Sequence, residues 1–106
     1  MVESVRLGGR SYLVECYSPG VQRDDVESAA TRAGMACREL SDRGTAIEYS
    51  GALLLPTDEV VMHLFTSASE DAVRDASERA DLPFERILET VAVPSGDDVG
   101  LDGEGS

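Results

Sequence analysis

Between Tyr12 and Tyr17 β-branched and aromatic residues crowd a short run that Glu15 interrupts and Ser18-Pro19-Gly20 closes, which predicts a first strand. From about Asp24 the spacing changes. Val26, Ala30, Ala33, Cys37 and Leu40 recur at steps of four, three, four and three, the period of a helix face turned to a core. Glu27, Arg38, Glu39 and Asp42 lie on the opposite side, and Gly44 marks the stop. Gly34 inside this helix costs about 1 kcal/mol relative to Ala, and so predicts either tight packing or a weak point. Thr45 to Leu55 reads as a second extended segment broken at Ser50-Gly51, and Pro56-Thr57-Asp58 turns the chain. Val60 to Phe65 is apolar on nearly every position, the pattern of a central strand. Ser69 is an N-cap with Glu70 and Asp71 in the first turn, Val73, Ala76 and Ala80 form a buried stripe, and Leu82-Pro83 ends the helix. Ile87 to Val93 supplies the last strand, interrupted by Glu89.

The resulting order, β-α-β-β-α-β, predicts an α+β ferredoxin-like fold: an antiparallel sheet ordered 4-1-3-2, with two right-handed crossovers placing both helices on one face. The domain is expected to span residues 11–94, after an N-terminal extension over 1–10 and before an acidic, Gly-rich tail over 95–106 that has too little apolar content to order.

Composition narrows the partners. Among 106 residues, 21 Asp and Glu oppose nine basic residues, all of them Arg, for a formal net charge of −12. A surface of that sign cannot track phosphates, so nucleic acid and anionic membranes are not expected partners. The first ten residues lack the apolar run of a signal peptide and no stretch has the length of a membrane span, which predicts a cytoplasmic protein. Cys16 and Cys37 form no CxxC motif and are expected to be buried thiols rather than redox or zinc ligands.

Alternation assigns side chains to the two faces of the sheet. On the third strand Val60, Met62 and Leu64 suit the helix side, leaving Val61, His63 and Phe65 on the open face. On the first, Tyr12, Val14 and Cys16 suit the helices, leaving Leu13, Glu15 and Tyr17 open. His63, the only histidine, is then expected beside Glu15 on an apolar face that a second copy covers, making the chain a homodimer through its open sheet face. Imidazole and carboxylate together are half of a transition-metal site, so His63 and Glu15 are the candidate metal ligands. The competing reading of the same residues is a sheet histidine hydrogen-bonded to Glu15 or Tyr17. No nucleophile elbow accompanies His63, so hydrolytic catalysis is not expected.

Leu13-Val14-Glu15 before Pro19-Gly20, His63-Leu64-Phe65, Ser69 with Ala72-Val73, and Ala76 through Ala80 to Leu82-Pro83 and Ile87 resemble the small ferredoxin-like nickel-binding protein family. The resemblance runs from about Ser11 to Val93. It implies a dimeric subunit with a site for nickel or another divalent transition metal and no established reaction. The chain departs from the family at Ser77, where His is usual, at Asp81, where Gly is usual, and at His63, where Cys is frequent. An alternative from another class is a dimeric α/β-barrel enzyme, monooxygenase- or isomerase-like, using the open face as a pocket with His63 as acid or base.

Overall fold

A computed structural model describes residues 9–94. The elements are β1 (Arg10–Tyr17), α1 (Arg23–Asp42), β2 (Ile47–Leu55), β3 (Val60–Ser67), α2 (Glu70–Arg79) and β4 (Arg86–Thr90). All four strands pair antiparallel in the order β2-β3-β1-β4, which is the expected 4-1-3-2 read from the other edge and is consistent with a ferredoxin-like arrangement. β1 begins at Arg10, so the expected boundary at residue 11 falls one residue inside the strand; residues 1–8 and the acidic tail lie outside the described residues.

Each helix forms for a local reason. At the start of α1, Gln22 and Asp25 make a reciprocal capping box, the Gln22 amide donating to the Asp25 carboxylate at 2.9 Å. The buried stripe of α1 is Ala33, Ala36, Cys37 and Leu40, with Val26 and Ala29 packed against it. Val26, Ala33, Cys37 and Leu40 of the expected stripe are in place; Ala30 is only half-buried, and Ala29 and Ala36 widen the face instead. Gly34 has open space where a Cβ would be, so it is a weak point of the helix rather than a site of close packing.

In α2, Ser69 accepts a hydrogen bond from the Ala72 amide at 3.2 Å, the N-cap read from the sequence. The helix ends in a Schellman motif: the Leu82 amide donates to the Ser77 carbonyl at 3.0 Å and the Asp81 amide to that of Glu78 at 3.0 Å. Asp81 therefore has φ of 59°, in the left-handed region that favours glycine.

The core lies between the helices and one face of the sheet, around Tyr12, Val14, Phe65 and Val73, all within 1% of full burial. Two expectations fail here. The last strand stops at Thr90 instead of Val93: its pairing with β1 ends at Thr90 and Ser11, and Val91 and Val93 are left 80% and 83% exposed. The facing of β3 is also reversed: Val61, His63, Phe65 and Ser67 are buried, and Val60, Met62, Leu64 and Thr66 face the open side. β3 is apolar on both faces, so its alternation carries no phase, and the register with β1 decides the facing. Val14 is opposite His63 and Tyr12 opposite Phe65, and directly opposed residues share a face.

Candidate functional site

The inverted β3 separates the two expected ligands. Glu15 stands opposite Met62 on the open face, where its Oε1 accepts from Arg86 Nε at 2.7 Å, whereas His63 is 1% exposed beneath the helices. The sheet itself lies between them. A His63–Glu15 site within one chain is therefore corrected, as is His63 serving an open-face pocket.

What His63 borders instead is a cleft of about 270 Å³ on the helix side. Its floor is Cys16, Val61 and His63; its walls are the β1–α1 loop from Ser18 to Val21, one side of α1 with Val26, Ala29 and Arg32, and the Leu82-Pro83 segment after α2. Small residues on α1 and the glycine of Ser18-Pro19-Gly20 make this opening: Gly20 has φ of 75°, a turn that carries the chain over the end of the sheet. Two wider depressions of about 380 and 390 Å³ lie along α1, but neither reaches a buried polar residue.

Tyr49 sets the chemistry of the histidine. A bulge at Ser50 shifts the phase of β2 so that Tyr49 and Ala52 both face the helices, and Tyr49 Oη lies 2.8 Å from His63 Nδ1. Nδ1 is the acceptor that the phenol has among the described residues. In the tautomer where the phenol donates to it, the neutral ring carries its own proton on Nε2, the ring nitrogen without a partner among the described residues. Burial, and after it the Arg32 charge, lowers the His63 pKa to about 4, so the ring is uncharged at neutral pH.

Arg32 is the cation at the mouth. Its Nε donates to the Ala80 carbonyl at 2.8 Å and its Nη1 to Ser28 Oγ at 3.0 Å, which fixes the guanidinium and leaves Nη2 without a partner among the described residues. Asp25 also borders the cleft, with its carboxylate engaged by the Gln22 amide at the helix start. Burial pushes the Cys16 thiol up to about 11 and that of Cys37 up to about 12, so both are protonated.

For a transition metal this is an incomplete set. No group of three His, Cys, Asp or Glu side chains able to hold an ion occurs among the described residues. Cys16 and His63 line one cleft, yet the Arg32 guanidinium on the same cleft repels a cation. Ser77 is fully buried and its hydroxyl has no partner among the described residues. Arg32 and Tyr49 are the residues that sequence reasoning missed. Arg32 did carry a signal, being the one long cationic side chain amid Ala29, Ala30, Ala33 and Gly34; Tyr49 carried none, since its facing depends on the bulge.

No helix among the described residues is long and apolar enough to cross a membrane. No protein-family model matches the chain, and no curated protein matches it in sequence. Among solved structures, that of SCO4226 from Streptomyces coelicolor A3(2) is similar, with a TM-score of 0.62 at 16% identity over 79% of this chain and 99% of that one. At that identity the likeness shows a shared fold.

Proposed function

We propose that this chain is a ferredoxin-like binding protein without a reaction of its own, whose site is the cleft over His63. The observation that carries the reading is a neutral, hydrogen-bonded histidine at the floor of a cleft walled by three segments, the β1–α1 loop, α1 and Leu82-Pro83. Binding is favoured over catalysis because neither titratable group at the floor is poised near neutrality: burial lowers His63 to about 4 and raises Cys16 to about 11.

Phenol is the direct probe, since the cleft is slightly below the roughly 300–1,000 Å³ of ordinary ligand pockets and admits only small occupants. It is expected to bind in the millimolar range or tighter. Amide shifts at Gly20, Ala29 and Val61 should report it, and Ala29→Leu, which narrows the cleft, should abolish them. Shifts spread over the surface, or unchanged by Ala29→Leu, reject the site.

The nickel reading rests on Cys16 and His63 sharing the cleft, a sulfur and nitrogen pair that a borderline ion accepts. Calorimetric titration with nickel(II) decides it. Binding lost in both Cys16→Ser and His63→Gln replaces the small-molecule reading with the metal one.

The open sheet face supports a homodimer. Leu13, Leu53, Leu55, Met62 and Leu64 lie on it, with Leu53 65% exposed, and among the described strand residues three charged ones share it, Glu15, Glu48 and Arg86. In a chain of net charge −12, this nearly neutral and apolar face is where a second copy meets least repulsion. Leu53→Glu, which sets two like charges at a two-fold interface, is expected to weaken self-association at least about tenfold in sedimentation equilibrium. A monomeric wild type excludes the dimer.

A further inference from the structure

The cleft pairs two donors and a fixed positive charge with an apolar wall, and that combination specifies more than size. Arg32 is tethered through Nε and Nη1, so its free Nη2 group is held in place without further ordering. His63 is tethered through Nδ1, so its Nε2–H is likewise held. Asp25, the acidic residue on the cleft, is already accepting the Gln22 amide at the start of α1. The remaining lining is largely hydrocarbon: Val21, Val26, Ala29, Leu82 and Pro83.

We infer that the cleft selects small organic acids in their ionised form, the carboxylate received by the Arg32 guanidinium and the His63 Nε2–H, and the hydrocarbon body lying against Val26, Ala29 and Leu82. A carboxylate is acceptor-only and takes both donors at once; a primary amide of the same shape carries no charge and brings donors of its own against Arg32. The neutrality of the ring suits this role, because Nε2–H donates without requiring a second buried charge. The acidic surface of the protein lowers the local anion concentration, so the preference depends on the one cation at the mouth. The inference rests on the cleft being the binding site.

Benzoate and benzamide, nearly isosteric, separate the two ideas. In calorimetric titration at neutral pH the wild type is expected to bind benzoate about tenfold more tightly than benzamide. Arg32→Gln, a change on the exposed side of α1, is expected to bring the two to equal affinity. In the wild type, benzoate should also move the ¹⁵N resonance of His63 Nε2. Equal binding of both compounds overturns the acid preference while leaving the cleft as the site, and binding of neither overturns both. A benzoate preference that survives Arg32→Gln also overturns the inference, because the charge is then not the reason for it.

Discussion

Between pH 7 and pH 4 the protein is expected to lose about 3 kcal/mol of stability that traces to His63 alone. The folded-state pKa is lowered from 6.5 to about 4. The unfolded chain therefore binds this proton first as pH falls. The contribution is fully present above pH 6.5, declines as pH falls through the interval, and is gone near pH 4. The causes, in order, are burial of the ring and the Arg32 charge; the other groups facing it, Tyr49 and Cys16, are held neutral by pKa values raised to about 12 and about 11.

Carboxylates titrate near the same range, so the measurement is a difference. Denaturant midpoints of wild type and His63→Gln are followed from pH 8 to pH 4, and the two curves should converge as the pH drops. Parallel curves reject the buried neutral histidine. The same conclusion is available from the folded protein, where the His63 ring resonances should titrate near 4 and not near 6.5.

Phe65→Ala is expected to cost about 3–5 kcal/mol, a large part of the roughly 5–15 kcal/mol that holds a domain of this size together. Phe65 is fully buried on β3, paired on one side with Tyr12 and on the other with Tyr49, whose ring meets it edge-on at 5.2 Å. Truncation leaves a cavity between the sheet and both helices, and frees the Tyr49 ring that orients His63. Phe65→Leu retains most of the volume and should cost far less. Urea unfolding with an unchanged slope measures both. A loss below about 1 kcal/mol for Phe65→Ala would falsify its place at the centre of the core.

These two residues sit where local pattern was least informative. The helices were legible because their signals are local: Ser69 caps α2 through its own side chain, and Leu82-Pro83 follows a turn that Asp81 makes by its own φ. β1 was legible in its facing, since Glu15 breaks the apolar run and Tyr12, Val14 and Cys16 are buried as expected. The end of β4 was not, because Val91 and Val93 have strand propensity yet the pairing with β1 ends at Thr90.

The amino-acid sequence by itself determined the order of elements and the Ser69 cap, since period, capping chemistry and turn residues act within a few positions of one another, and the strand order followed from that element order through the handedness of crossovers. Tertiary structure alone decided the site. Val60 to Phe65 is apolar on both faces, so only its register against β1 told which way His63 points, and that register removed Glu15 from its side of the sheet. The bulge at Ser50 then brought Tyr49 to the ring, and the packing of α1 over the sheet brought Arg32 to the cleft. Each of those placements depends on pairing between distant segments, the one kind of information that a linear pattern of hydrophobic and polar residues does not carry.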